Sequence, residues 1–240
     1  MTGATGRKRR IDAVLRNLNR LKFKPPVTCV YNPLEYAHKA YDRYWRRYAT
    51  VPKEIVLVGM NPGPWGMVQT GVPFGDVRMV TQWLKIDAPV EPPTKQHAKR
   101  PIQGFNCPRS EVSGRRLWGW AKDRYRTPER FFERFWVGNY CPLAFMEASG
   151  RNRTPDKLPK SEKTSLFEIC DRALCLTVEL LQPQFVIGIG GFAAQRVASA
   201  LNGMNVNVGR ITHPSPANPK ANRGWARCIE SELEQMGIPL

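Results

Sequence analysis

The feature that most constrains the fold is a short apolar segment at residues 54–58 (EIVLV). It does not alternate apolar and polar side chains, which is typical of a strand buried on both faces of a parallel sheet. Segments with the same character lie at residues 135–137, Phe185–Ile189 and 206–211. The sequence therefore predicts four strands of one buried sheet.

Helical patterns separate these strands. Apolar residues recur at helical spacing, and the predicted helices cover residues 11–21, 34–48, 79–84, 117–125, 161–181, 192–201 and about 224–236. Strands that alternate with helices predict an α/β fold of three layers (α/β/α), with a central, mostly parallel four-stranded sheet. A chain of 240 residues suits a single domain of this kind. We expect residues 1–10 (MTGATGRKRR) to form a flexible basic N-terminus.

The charge balance indicates a polyanionic partner. The chain has 37 Lys and Arg against 20 Asp and Glu, a formal net charge of +17. The repulsion between so many positive charges is tolerated when the partner is polyanionic, which favours nucleic acid. The alternatives are an anionic membrane surface as the partner, or a basic surface that is merely solvated. No apolar run approaches the roughly 18 residues of a membrane span, and no signal peptide is visible. We expect an intracellular monomer that does not bind membranes.

The cysteines give no sign of a metal site. Six are scattered along the chain without a CxxC pair, whereas zinc and iron–sulfur sites use closely spaced pairs. We therefore expect no metal and no cofactor.

Polar residues follow three of the predicted strands. Asn61 lies in a Gly/Pro-rich loop after the first strand, Asn139 follows the second, and His213 follows the last. In open α/β sheets, ligands bind outside the carboxyl ends of the strands. The loop at residues 61–66 lacks the GK[ST] ending of a phosphate-binding loop, and residues 188–191 (GIGG) do not have GxGxxG spacing. The position of the three side chains predicts a binding or catalytic site, and the loops around it do not indicate nucleotide hydrolysis or dinucleotide binding.

Two longer motifs carry a family resemblance. GMNPGPWGMVQTGVPFGD (residues 59–76) and HPSPANPKANRGW (residues 213–225) resemble signature motifs of the single-strand-selective monofunctional uracil-DNA glycosylases, a family of the uracil-DNA glycosylase superfamily. Residues 99–119, 137–145 and 149–159 are also similar to that family, so the resemblance extends from about residue 36 to 237. It implies hydrolysis of the N-glycosidic bond of uracil, and of 5-modified uracils such as hydroxymethyluracil, in single- and double-stranded DNA. The base would be flipped out and an abasic site left, since the motifs contain no evident lysine nucleophile.

The resemblance also assigns roles to individual residues. It implies that Asn61 positions the attacking water and that His213 donates a hydrogen bond to uracil O2, as a neutral or a charged imidazole. Phe74 would stack on the flipped base, and Asn139 would read its N3–H and O4 edge. The pocket wall would include Met60 and Gly63, with Gly63 leaving clearance beside C5.

A further set of residues is expected to contact DNA. Between residues 95 and 126 lie nine basic residues and only two acidic ones. In this segment Ser113, Arg115 and Arg116 are candidates for phosphate contact. The loop that resembles the family's wedge supplies the remaining candidates, Pro216, Ala217, Asn218, Lys220 and Arg223. Well-known members of the family carry Arg where this chain has Ala217, so we expect a weaker wedge on duplex DNA.

Two other functions remain open at the level of sequence. A nucleic-acid-binding module without chemistry would explain the charge but not Asn61, Asn139 and His213 at three strand ends. A glycosylase that prefers a deaminated purine, such as xanthine or hypoxanthine, would use the same machinery with a differently shaped pocket.

Overall fold

The computed structural model of the protein describes residues 3–240. Its strands are β1 Val27–Tyr31, β2 Ile55–Gly59, β3 Phe135–Asn139, β4 Ala144–Glu147, β5 Asn152–Arg153, β6 Phe185–Ile189 and β7 Asn207–Ile211. Its α-helices are α1 Gly3–Leu15, α2 Pro33–Tyr36, α3 His38–Tyr48, α4 Met67–Thr70, α5 Val112–Tyr125, α6 Pro128–Arg134, α7 Lys160–Leu181, α8 Gly191–Ala200, α9 Pro219–Asn222 and α10 Trp225–Gln235. Residues Arg16–Arg20, Gly104–Asn106 and Pro155–Lys157 form 3-10 turns, and Met79–Trp83 form a π-helical turn.

The central sheet has four strands in the order β3-β2-β6-β7, and every neighbouring pair is parallel. All five residues of β2 are buried, in keeping with its position inside the sheet and its apolar sequence. Strand β7 lies at the edge, and much of it is exposed. The four predicted strands and their parallel arrangement are confirmed.

Helices cover both faces of this sheet. Phe135 and Trp136 are neighbours in β3, so their side chains point to opposite faces. The ring of Phe135 packs 4.8 Å from that of Phe131 in α6, whereas Trp136 packs 4.5 Å from Trp45 in α3. On the face of the sheet that α6 covers, Trp120 of α5 also packs against Phe135, with 5.8 Å between the ring centroids. The predicted three-layer arrangement is therefore confirmed.

A second, smaller sheet was not predicted. Strands β1, β4 and β5 pair in antiparallel order β1-β4-β5. In β1 buried and exposed residues alternate, as expected for a strand with one solvated face. This sheet supports the loop after β2, because Nδ2 of Asn152 in β5 donates a hydrogen bond to the carbonyl oxygen of Pro62 at 2.9 Å.

The N-terminal segment differs from the expectation of a flexible arm. Residues 1 and 2 lie outside the described residues, but residues 3–10 belong to α1. Lys8 Nζ pairs with Asp12 at 2.8 Å and with Asp42 of α3 at 3.0 Å, and Ile11 is buried. The ion pairs of Lys8 and the packing of Ile11 therefore stabilise this helix. The predicted helix at residues 11–21 starts earlier and ends at Leu15, where the chain tightens into a 3-10 turn.

Across residues 3–240, no helix combines the length and apolar character that a membrane crossing requires.

Candidate active site

The three polar residues predicted from the strand ends meet around one cavity. Asn61 lies just beyond β2, Asn139 is the last residue of β3, and His213 lies just beyond β7. Parallel strands end at a common edge, so side chains far apart in sequence are brought together there. The cavity has a volume of about 80 Å³ and is lined by Met60, Asn61, Gly63, Gly66, Met67, Phe74, Glu111, Ser113, Asn139 and His213.

Asn61 is oriented by the backbone of a neighbouring loop. Its Nδ2 donates a hydrogen bond to the carbonyl oxygen of Leu143 at 3.2 Å. The amide nitrogen is thereby committed, and Oδ1 is left as the acceptor at the cavity. An amide cannot take up a proton in the ordinary pH range, so Asn61 can orient a water molecule but cannot act as a general base.

His213 is held in one tautomer. Its Nδ1 accepts a hydrogen bond from the backbone N–H of Ser215 at 3.0 Å, which requires a lone pair on Nδ1 and puts the proton of the neutral ring on Nε2. Burial lowers the pKa of His213, which also favours the neutral ring. The loop is fixed by Asn218, whose Nδ2 donates to the His213 carbonyl at 3.1 Å. The arrangement supplies a neutral N–H donor to the cavity.

Phe74 has an unusual backbone conformation. Its φ of 53° lies in the left-handed region, which costs a non-glycine residue about 1–2 kcal/mol. The Phe74 carbonyl accepts a hydrogen bond from Nε1 of Trp118 at 3.1 Å, and a β-carbon at Gly114 would collide with the same carbonyl oxygen. Helix α5 therefore holds the strained residue, with its ring 6.4 Å from that of His213.

Asn139 faces the sulfur of Met67. The Nδ2 atom lies 3.2 Å from Sδ, a weak acceptor that a better partner can replace. The side chain therefore keeps an amide donor and an amide acceptor for the edge of a planar ring.

Glu111 is a residue of the cavity wall that the sequence interpretation missed. Its Oε1 accepts the N–H of Ser113 at 3.2 Å and caps α5, and its own N–H donates to Oδ2 of the buried Asp76 at 2.9 Å. Burial raises the pKa of the Glu111 carboxyl group. One sequence signal pointed to it: it is one of only two acidic residues in the basic segment 95–126.

The same carboxyl group occupies the space beside Gly63. A β-carbon at Gly63 would collide with Oε2 of Glu111, and one at Gly66 would lie 2.9 Å from its Cγ. The glycines therefore admit the Glu111 side chain. That Gly63 also leaves clearance for a base remains a prediction.

The residues expected to contact DNA have different environments. Ser113 is buried in the cavity wall, whereas Arg115, Pro216, Ala217, Lys220 and Arg223 are exposed. Arg116 donates hydrogen bonds to the Pro214 carbonyl and to Oδ1 of Asn222, both at 2.9 Å. It therefore ties α5 to the segment that follows β7, residues 212–218, which we call the His213 loop. Asn218 caps α9 by accepting the N–H of Lys220 at 3.1 Å.

Two arginines from the segment before α5 surround Trp65 in the loop after β2. The guanidinium carbons of Arg100 and Arg109 each lie 4.9 Å from the ring centroid of Trp65. The sequence interpretation counted these arginines only as part of a basic segment and did not single out Trp65. Such clusters suit contact with phosphates and stacked bases. Within residues 3–240 no group of three His, Cys, Asp or Glu side chains is arranged to hold a metal ion.

Comparison with known proteins identifies the family. A family model described as the uracil DNA glycosylase superfamily matches residues 47–230. The chain is 45% identical over 223 residues to the single-strand selective monofunctional uracil DNA glycosylase of Mus musculus, which covers 92% of this chain and 80% of the mouse protein. The corresponding protein of Rattus norvegicus is 46% identical, and the match again covers 92% of this chain and 80% of the rat protein. That of Bos taurus is 45% identical, and the match covers 92% of this chain and 82% of the bovine protein.

A solved structure supports the fold. The crystal structure of wild-type Pedobacter heparinus SMUG2 superposes with a TM-score of 0.69 over 95% of this chain and 96% of that one, at 15% identity. Sequence and fold thus agree with the cavity at the carboxyl ends of the strands, and the chain belongs to the single-strand selective monofunctional uracil-DNA glycosylases of the uracil-DNA glycosylase superfamily.

Proposed function

We propose that this protein hydrolyses the N-glycosidic bond of uracil in DNA, flipping the base into the cavity and leaving an abasic site. The observation that carries the proposal is the convergence of Asn61, Asn139 and His213 on one cavity beside the ring of Phe74. A nucleic-acid-binding module without chemistry would not need this arrangement. The substrate implies an intracellular enzyme.

The chemical step needs stabilisation of two developing charges. As the glycosidic bond breaks, the sugar becomes an oxocarbenium ion and the departing base carries negative charge. Nε2–H of His213 donates to uracil O2, where that charge accumulates, and the Ser215 N–H on Nδ1 keeps the proton on Nε2. A preorganised donor in a water-poor site is worth far more than the same donor in water.

The attacking water is held by Asn61. With Nδ2 committed to the Leu143 carbonyl, Oδ1 accepts from the water and holds it near the anomeric carbon. The contribution is one of position and orientation, which is worth several kcal/mol when the reacting atoms are held at contact distance. The oxocarbenium ion is reactive enough that a neutral amide serves without proton abstraction.

Base selection is the role of Asn139. Its amide oxygen accepts from uracil N3–H and its Nδ2 donates to O4, leaving Met67 Sδ. Cytosine presents the opposite pattern and leaves both amide groups unpaired, at a cost of about 1–3 kcal/mol each. Phe74 stacks on the ring and contributes no discrimination between the two bases.

The proposal extends to a finer substrate range. We propose that 5-modified uracils such as hydroxymethyluracil are also released, and that single- and double-stranded DNA are both substrates. Arg115, Lys220 and Arg223 are exposed near the loops of the site and would contact phosphates. The exposed Ala217 of the His213 loop has little bulk to replace a flipped nucleotide, so duplex DNA should be the poorer substrate.

The test is a panel of labelled oligonucleotides. Each contains one uracil, hydroxymethyluracil, xanthine, hypoxanthine or cytosine, in single- and double-stranded form, and alkali converts abasic sites into strand breaks. We expect alkali-dependent cleavage at uracil and none at cytosine. If no cleavage occurs at uracil, the proposal is wrong, and cleavage at xanthine or hypoxanthine alone would reassign the enzyme to deaminated purines.

Two histidine variants distinguish activity of this protein from activity of a contaminating enzyme. His213→Ala should abolish most release, whereas His38→Ala, which changes an exposed histidine on α3, should not. Equal activity of the two variants would contradict the assignment of the cavity as the active site.

A further inference from the structure

The orientation of a bound uracil leaves one edge of the ring unassigned. This point rests on the proposed function, in which His213 contacts O2 and Asn139 contacts N3–H and O4. The remaining edge carries C5 and C6. The rest of the cavity wall comprises Gly63, Gly66, Met67 and Glu111, besides Met60 and Ser113. Met67 Sδ touches Asn139, so this part of the wall continues from the O4 side of the base towards C5.

Glu111 brings an acceptor with spare capacity to this part of the wall. Oε1 accepts the Ser113 N–H, and the Ser113 side chain also hydrogen-bonds the Glu111 carboxyl group. No cation among residues 3–240 forms an ion pair with this group. A carboxylate has about four lone-pair sites, so these bonds leave capacity for a ligand donor at Oε2. Oε2 is also not among the fully buried side-chain atoms of residues 3–240 that lack a hydrogen-bond partner. A carboxylate oxygen that reaches a binding cavity is a strong acceptor for a ligand hydroxyl group.

The position of Oε2 is fixed from two sides. The backbone N–H of Glu111 and Oγ of Ser110 both donate to Oδ2 of Asp76, at 2.9 and 2.8 Å. The side chain lies against Gly63 and Gly66, where any β-carbon would crowd it. Capping α5 requires only Oε1, so the cap does not explain why two glycines make room for the rest of the carboxyl group.

We propose that Glu111 is a specificity-determining residue that reads the substituent on C5 of the uracil ring. Oε2 of the carboxylate accepts a hydrogen bond from a substituent that can donate, such as hydroxymethyl. A formyl group offers only an acceptor to the same oxygen, and a carboxyl group brings a second negative charge. The enzyme therefore favours hydroxymethyluracil over formyluracil, and formyluracil over carboxyluracil, for reasons that do not apply to unsubstituted uracil.

The test exchanges the acceptor for a donor. In Glu111→Gln, the amide oxygen can still cap α5, while Nε2 replaces Oε2 and can donate to a formyl oxygen. Single-turnover release is measured on single-stranded oligonucleotides carrying uracil, hydroxymethyluracil, formyluracil or carboxyluracil. The pH is about 8, because burial raises the pKa of the Glu111 carboxyl group and a high pH favours its carboxylate form. We expect the ratio of hydroxymethyluracil to formyluracil release to fall about tenfold, the size of one neutral hydrogen bond. Uracil release is the reference rate, and the expected change is in the ratio of the two modified substrates.

A control and a second readout exclude a purely structural effect. Glu234→Gln, an exposed substitution on α10, should leave every ratio unchanged. Glu111→Gln should melt no lower than wild type, because it removes a buried charge and keeps the cap. Should the variant fail to fold, the inference is overturned, since the carboxylate is then needed for stability. It is overturned equally if all substrates slow by the same factor or if the ratio stays constant.

The wild-type protein separates this inference from the proposed function. Failure to release uracil would overturn the proposed function and the inference with it. Release of uracil without preference for hydroxymethyluracil over formyluracil would overturn the inference alone.

Discussion

The ring of Phe74 lies directly over Gly59, the last residue of β2. A β-carbon at position 59 would lie 2.7 Å from Cε2 and Cζ of that ring and would collide with Oδ1 of Asn139. The Phe74 ring and the Asn139 amide therefore share one contact point on the backbone of a buried strand. Because Phe74 also has a strained φ of 53°, its position depends on contacts of this kind rather than on local preference.

Gly59→Ala should damage the site while leaving the sheet intact. The added methyl group displaces both the Phe74 ring and Asn139, and misplacement by about 1 Å can cost on the order of a hundredfold in rate. We expect at least that loss in single-turnover uracil release. Gly119→Ala is the control, because a β-carbon there meets nothing within 4 Å and a helical alanine should be neutral or stabilising. Similar rates for the two variants would contradict the role of the Phe74–Gly59 contact.

Asn61→Ala should slow chemistry far more than it weakens binding. The variant loses the acceptor for the water but no contact with the DNA backbone. We expect single-turnover release to fall by about a hundredfold or more, while the Kd for a uracil-containing strand, measured by fluorescence anisotropy, changes by less than about threefold. Asn205→Ala, an exposed change after α8, serves as the control. Equal losses in rate and affinity would argue against water positioning.

Asn139→Asp should erode discrimination against cytosine. A carboxylate cannot donate to uracil O4, so uracil release should fall by at least about tenfold, the worth of a lost hydrogen bond. Cytosine, whose amino group can donate to the new carboxylate, should become a detectable substrate. The measurement is alkali-revealed cleavage of matched uracil and cytosine strands. Selectivity equal to that of wild type would mean that Asn139 does not read the base.

Ala217→Arg should strengthen activity on duplex DNA. Ala217 is exposed in the His213 loop, and a long basic side chain would fill the space left by a flipped nucleotide and add about one phosphate contact. We expect duplex release to rise several-fold with little change on single strands. Ala198→Arg on α8 adds the same charge at another exposed position. If both variants raise duplex release equally, charge alone explains the gain.

Acidification should destabilise the fold through His213. Burial lowers the pKa of this residue in the folded state, so below its ordinary value of about 6.5 the unfolded chain takes up the proton first. Stability is therefore fully present above about pH 6.5 and is lost as pH falls towards the folded-state pKa. We expect the Tm of wild type to drop more steeply than that of His213→Gln between about pH 7 and pH 5. Parallel curves would contradict this prediction.

The sequence by itself determined the layered fold and the centre of the site. A strand that is apolar on both faces, such as β2, is typical of the inside of a parallel sheet. Parallel strands end at a common edge of the sheet, so residues that follow different strands lie close together in space. For this reason Asn61, Asn139 and His213 could be identified from their places after the strands. The motifs around them carried the family resemblance, which the comparisons confirm.

Only the tertiary structure decided which groups surround that centre. Glu111 enters the cavity because Asp76, distant in sequence, holds its backbone, and Arg116 supports the His213 loop through contacts to another segment. The helical position of the basic N-terminus likewise depends on Asp42 of α3. Periodicity and local propensity report the preferences of neighbouring residues. The direction of a side chain at a loop or helix end is set by long-range hydrogen bonds and packing, which no local pattern encodes.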